Sequence, residues 1–272
     1  MDNDVKEISK EIIKDVYNDA GKPVAKPTGE LIGLVPRAIK AALSPLEKWI
    51  ITKEYNIEET KKLLEEKLKN TPPESIQPPE PYIAVPTIQY LSYCMDNHEL
   101  RNMYANLLAN SMNNVVKDEV HPGFVEIIKQ LSPDEAKILK YFALNNIVPT
   151  VSLNLISNQN GHSRIINNFS NVGELSHCEF PFEISVYFDN MIRLGLLESS
   201  SYAFLTDKKQ YKPLKEHYFI KKIIDSIVIP HNFKGTDFEE GYMKITDFGL
   251  KFCEICVDKN DSHTFDNNTS EE

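Results

Sequence analysis

Apolar residues recur at helical spacing over most of this chain. Val5, Ile8, Ile12 and Val16 step by three and four, which predicts an amphipathic helix over 4–18. Gly21, Pro23, Pro27 and Gly29 then break the pattern. Leu31–Ile51 is small, apolar and weakly charged, interrupted at Pro36 and Pro45, with Trp49 near its end. Residues 56–69 predict a helix: Asn56 can cap it, Glu59 sits at the reciprocal box position, and Glu58–Lys62 and Glu65–Lys69 are i,i+4 pairs. The proline-rich stretch Thr71–Pro81 reads as an extended spacer or a strap across another element. Helices are expected over 86–95 and 97–114, the second with the stripe Leu100, Met103, Leu107, Leu108 and Met112, flanked by Tyr104. A short helix over 123–131 follows. Ser132-Pro133-Asp134-Glu135 starts another, running to Asn145-Asn146, with Ser as N-cap, Pro at the first helical position and acids next.

The pattern changes in the C-terminal part. Phe182–Leu194 reads as a helix stopped by Gly195, Leu196–Leu205 as a strand, and Gly241–Thr246 as a returning strand. Thr246 can cap a last helix, Asp247–Val257. This is the element order of a winged helix. The expected fold is therefore mainly α, with a small α+β winged-helix-like C-terminal part. The expected organisation is N-terminal helices with a Gly/Pro-interrupted apolar segment (1–70), a Pro-rich linker (71–85), a helical domain (86–131), a winged-helix-like domain (132–257) and a disordered acidic tail (258–272).

Charge narrows the partners. The net charge is −10 over 272 residues. Basic and acidic side chains number 13 and 13 in residues 1–70, 3 and 7 in 71–131, 13 and 15 in 132–257, and 1 and 5 beyond. No region has a basic excess, so nucleic-acid binding is not the expected role. The winged-helix order raises that question nonetheless. Helix 182–194 carries Glu183 and Asp189 against Arg193 and is otherwise mostly apolar, which suits base reading poorly. The cluster Lys208, Lys209, Lys212, Lys215, Lys221 and Lys222 could touch phosphates, but a solvated face is the simpler reading.

Catalytic chemistry finds little support. Cys253-Glu254-Ile255-Cys256 falls late in a helix and lacks a second ligand pair, so its cysteines read as buried apolar residues. His177-Cys178 are sequence neighbours whose side chains diverge, and His121 before Pro122 reads as a turn residue. Glu65-Glu66 and Glu239-Glu240 read as surface pairs. No phosphate-binding, dinucleotide-binding or serine-hydrolase motif occurs, and no metal or cofactor is expected. The first twenty residues are charged throughout, unlike a signal peptide, and no apolar run reaches spanning length. The cytoplasm is the expected compartment, with peripheral association at the inner membrane as the alternative. In Leu31–Ile51 the bases Arg37, Lys40 and Lys48 outnumber the acid Glu47, and Trp49 suits a membrane interface. Leu34, Arg37, Lys40 and Trp49 are thus the membrane candidates, against a reading as core or oligomer contact.

The run His121-Pro122-Gly123-Phe124-Val125-Glu126-Ile127-Ile128-Lys129-Gln130-Leu131-Ser132-Pro133-Asp134-Glu135-Ala136-Lys137-Ile138-Leu139 resembles the signature segment of the bacterial abortive infection alpha family. Gly21-Lys22-Pro23, Pro72-Pro73-Glu74, Gln77-Pro78-Pro79 and the helix His98–Ala109 are similar to the same family. In the C-terminal half the likeness is looser, at Leu194-Gly195-Leu196 and Ile245-Thr246-Asp247-Phe248-Gly249. The resemblance covers about the first 145 residues best. It implies a bacterial source and a role in defence against phage, and it supplies no catalytic residues. The expectation is a non-enzymatic defence protein acting through a protein partner or self-association. Its interaction candidates are His121, Pro122, Phe124, Gln130, Asp134 and Glu135. The alternatives are a latent membrane-active effector using residues 31–51 and a winged-helix nucleic-acid-binding regulator.

Overall fold

The computed structural model describes residues 57–159, 161–200 and 204–258. The expected helix 4–18, the apolar stretch 31–51 and the tail beyond 258 lie outside them. The chain divides into two compact units. Of the described residues, one holds 57–96 together with Tyr104–Val125, and the other holds Asn97–Met103 and those from Glu126 to Asp258.

The first unit is helical. Helix α1 spans Ile57–Leu68, α2 Pro81–Leu91, and α3 is His98–Met112, of which this unit holds the part from Tyr104. Leu64 and Leu68 pack with Ala84, Ile88, Leu108, Ala109 and Met112, and Ile76 and Val85 close over them. Burying such side chains is worth about 1.5–3 kcal/mol each. The proline stretch behaves as a strap. It makes a single 3-10 turn at Pro73–Ser75, Ile76 bridges to Asn113, and the Gln77 N–H donates to Met112 O at 2.8 Å. Helix α2 starts at Pro81, earlier than the apolar spacing predicts, because proline fits the first helical turn. Pro86 inside it removes the N–H that would reach the Tyr82 carbonyl.

The second unit contains a four-stranded antiparallel sheet in the order β2-β1-β4-β3, with β1 Ile147–Ser157, β2 His162–Phe169, β3 Leu197–Ser200 and β4 Phe233–Ile245. This overturns the mainly α expectation. Ten α-helices stand beside strands of 11 and 13 residues among the described residues, and the fold is α+β, without a mere small β appendage. The pairing of Leu197–Ser200 with Tyr242–Ile245 joins the two segments expected to be strands. Strands β1 and β2 and the first half of β4 were not expected. In β2 and the first half of β4 the apolar/polar alternation is weak; in β1, Val151, Leu153 and Leu155 alternate with Thr150, Ser152 and Asn154, a strand signal the sequence does carry. Pro149 also argues against a strand. At that position β1 is paired with β4 alone, so the missing N–H costs no ladder bond on the other side.

The core of this unit lies between the sheet and three helices: α5 (Pro133–Asn145), α7 (Ile184–Arg193) and α10 (Asp247–Cys256). A short helix α6 (Val172–Leu175), α8 (Lys212–Lys215) and α9 (Tyr218–Ser226) complete it, while α4 (Gly123–Lys129) straddles the division of the chain. Leu139, Phe142, Phe188, Met243 and Phe252 are fully buried, and Phe142 meets Phe188 edge-on at 6.3 Å. Cys253 and Cys256 are buried beside them, with the Cys253 thiol toward Leu139 O at 3.8 Å, so they act as small apolar residues.

Gly195 closes α7 with φ +74°, its N–H reaching Ile192 O at 2.9 Å and the Leu196 N–H reaching Met191 O at 2.9 Å. This is a complete Schellman turn. Thr246 then ties that turn to α10. Its Oγ1 donates to Gly195 O at 2.6 Å and accepts from the Gly249 N–H at 2.9 Å, while its own N–H reaches Leu196 O at 3.0 Å. The two short C-terminal motifs noted in the sequence are therefore one junction.

Candidate functional site

The polar residues of the signature run are explained by what they hold. Ser132 caps α5, accepting from the Glu135 N–H at 3.2 Å, and Glu135 accepts from the Ser132 N–H at 2.6 Å, a closed capping box. Glu135 also accepts from Asn190 Nδ2 at 2.7 Å, and that amide reaches Gln130 O at 3.0 Å. Arg193 Nη1 donates to Gln130 Oε1 at 3.0 Å. Helix α7 is thus fastened to the start of α5 and to Gln130 just before it by Asn190 and Arg193, one turn apart.

Asp134 is the centre of a second set of bonds. It is buried at 5% exposure, yet its carboxylate accepts from the N–H groups of Glu179 and Phe180, both at 2.9 Å, from Tyr187 OH at 3.1 Å and from Lys137 Nζ at 3.1 Å. Burial alone would raise its pKa. The two backbone N–H groups, Lys137 and Tyr187 outweigh burial and hold it below the ordinary aspartate value. The same pairing pushes the Tyr187 hydroxyl well up, after burial as the larger cause. Burial and the Asp134 charge push the Cys178 thiol up to about 12, so it is no nucleophile at neutral pH.

What these bonds hold is the loop from Asn171 to Glu183. It folds tightly on itself: the Cys178 N–H reaches Gly173 O at 2.9 Å, and a Cβ on Gly173 would lie 2.4 Å from Pro181 O. His177 takes φ +53°, and Lys137 Nζ reaches its carbonyl at 3.1 Å. On the far side Phe182 stacks on Phe219 with centroids 4.5 Å apart, and His217 Nε2 meets Glu174 at 2.7 Å. This fixed loop presents Phe180 at 60% exposure and Leu175 at 43%.

The interaction candidates from the sequence divide accordingly. His121 and Pro122 are exposed; His121 Nδ1 accepts from the Gly123 N–H at 3.0 Å and so starts helix α4. Phe124 is wholly buried, Asp134 and Glu135 are buried structural acceptors, and Gln130 is exposed but bonded to Arg193. Leu34, Arg37, Lys40 and Trp49 lie outside the described residues. Sequence reading missed Lys137, Phe180, Tyr187 and Asn190. The one available signal was Glu179-Phe180-Pro181-Phe182-Glu183, aromatic residues alternating with proline between two acids in a turn.

The basic cluster is partly neutralised. Lys208 and Lys215 both bind Glu240, Lys215 at 2.8 Å, and Lys208 also covers the Phe204 ring at 3.4 Å. These two lysines hold the Glu240 carboxyl below its usual range against its burial. Glu239 pairs with Arg164 at 2.8 Å. Asn190 and Arg193, the side chains of α7 best suited to base edges, are bonded within the fold. Duplex DNA should therefore show no shift at physiological salt; salt-sensitive, sub-micromolar retardation of DNA would contradict this reading of the cluster. Among the described residues no group of His, Cys, Asp and Glu is arranged to hold a metal ion, and no helix is long and apolar enough to cross a membrane.

Comparison with known families decides what the signature run belongs to. The abortive infection alpha family matches residues 52–256. The chain belongs to the abortive infection alpha family. The match extends through the C-terminal half as well as the region before 145, and it does not include Gly21-Lys22-Pro23. Membership connects the chain, at a coarse level, with abortive infection, a defence against phage. A solved structure of an uncharacterized protein from the marine bacterium Alcanivorax borkumensis SK2 is similar at 15% identity and a TM-score of 0.36, over 50% of this chain and 92% of that one. No curated protein matches the chain.

Proposed function

We propose that this abortive infection alpha protein acts without catalysis, by presenting the Asn171–Glu183 loop to a protein partner. The observation that carries the reading is the buried Asp134 carboxylate, spent on two consecutive loop N–H groups while the loop's own Phe180 side chain faces solvent. An exposed aromatic on a rigid frame is what a contact anchor requires: large apolar area and little entropy left to lose on binding. The acids Glu179 and Glu183 flank it and are exposed, forming a polar rim.

Phage plating on hosts carrying the gene tests this. The wild-type chain should lower plating of at least one phage, and Phe180→Asp should restore plating to the level of the empty host. Because Phe180 is exposed, its replacement should leave the melting temperature within about 2 °C of wild type. A Phe180→Asp protein that is folded and still protects fully would remove the loop from the mechanism. A wild-type chain that leaves plating unchanged over a broad panel would remove the defence reading for this chain.

A further inference from the structure

The segment from Tyr218 to Lys234 lies in a locally basic stretch of this acidic protein. Residues 204–236 contain seven lysines (208, 209, 212, 215, 221, 222, 234) against Asp207, Glu216 and Asp225. Lys208 and Lys215 are occupied by Glu240, but Lys221, Lys222 and Lys234 are exposed. Apolar side chains lie among them. Val228 is 89% exposed, Tyr218 61% and Ile229 46%. Helix α9 carries Ile220, Ile223 and Ile224 on one side, yet only Ile220 is buried. The stretch after it is extended at Ile227 and held in place: Asn158 N–H reaches Asn232 O at 2.9 Å, and Asn158 Nδ2 reaches His231 O at 3.0 Å. Val228 and Ile229 are thus kept in solvent by a fixed backbone, with lysines on both sides and Asp225 as the acid among them.

We infer that Tyr218–Lys234 is a docking surface for an anionic phospholipid bilayer. Lysines answer the headgroup charge, and exposed aliphatic side chains enter the boundary beneath it. Duplex nucleic acid would use the lysines but offers nothing comparable to Val228 and Ile229, so the combination favours the lipid surface. The surface adjoins the Asn171–Glu183 loop at Tyr218, whose hydroxyl reaches Glu174 at 3.4 Å, but the inference does not depend on Phe180.

The test is co-sedimentation of the full chain with vesicles of phosphatidylcholine alone, or of phosphatidylcholine with one-third phosphatidylglycerol, at physiological salt. The chain should pellet with the anionic vesicles and stay in solution with the neutral ones. Lys221→Gln with Lys222→Gln should weaken partitioning about 25-fold, taking each lysine as about fivefold. Val228→Ser with Ile229→Ser should weaken it by about tenfold or more. All four sites are at least partly exposed, so circular dichroism should be unchanged. Three results would overturn the inference: no pelleting with anionic vesicles, equal pelleting with neutral ones, or binding that survives both double variants and so belongs elsewhere in the chain. Retardation of duplex DNA that Lys221→Gln and Lys222→Gln abolish, without vesicle binding, would assign the surface to nucleic acid instead.

Discussion

Asp134→Ala should destabilise the second unit by about 2–4 kcal/mol, the scale for removing one partner from a buried, charge-assisted network. Four donors lose their acceptor together: the N–H groups of Glu179 and Phe180, Tyr187 OH and Lys137 Nζ. Lys137 is partly exposed and can turn to water, which keeps the cost below that of a fully buried ion pair. Urea unfolding followed by circular dichroism measures the change, and an unchanged midpoint would mean the four bonds contribute nothing net. The pH dependence has a definite sign. The folded pKa of Asp134 lies below the ordinary aspartate value, so its contribution is present above about pH 4 and fades as pH falls through the folded value. Asp134→Asn should therefore flatten the acid limb of the stability curve as well as lower its plateau.

Gly249→Ala should cost about 2 kcal/mol, although alanine is the better helix former by about 1 kcal/mol. The added Cβ would lie 2.2 Å from Leu196 O and 2.8 Å from Ile245 Cγ1. The opposing atom is a backbone carbonyl already fixed by the Thr246 N–H, so it cannot swing aside as a side chain would. Relief requires α10 to move off the Gly195 turn, which breaks the Thr246 bonds. A thermal melt reads the result directly. A stability equal to wild type or greater would show that the junction yields at little cost.

The helical parts of the fold were legible because their signals are local. Ser132-Pro133-Asp134-Glu135 predicts a helix start, and the capping box forms as written. Gly195 predicts a helix stop and Thr246 a cap, and both are found. The sheet was not legible as a whole, because β1 and β4 pair across roughly ninety residues of chain and β4 has no clean period of two; β1 alone carried one, at Val151, Leu153 and Leu155. The same holds for the candidate site. Asp134 was singled out, but its partners stand 45 and 46 residues away in a loop whose backbone, rather than its side chains, makes the bonds. No residue pattern encodes a carboxylate aimed at two backbone N–H groups. Helix α7 was read as a poor DNA reader from its composition. Its structure adds the reason: Asn190 and Arg193 are committed to Gln130 and Glu135.

Within the signature run, Asp134 and Lys137 hold the Asn171–Glu183 loop in one conformation. Amide hydrogen exchange at Glu179 and Phe180 tests it most directly, in the wild-type protein and in Asp134→Asn. Both residues sit in an exposed loop, so without the Asp134 bonds their amides should exchange as freely as other loop positions. The account predicts protection of both amides in the wild type, approaching that of helix α5, and loss of that protection at these two positions first in Asp134→Asn. Rapid exchange in the wild type, or protection that persists in the variant, would contradict it.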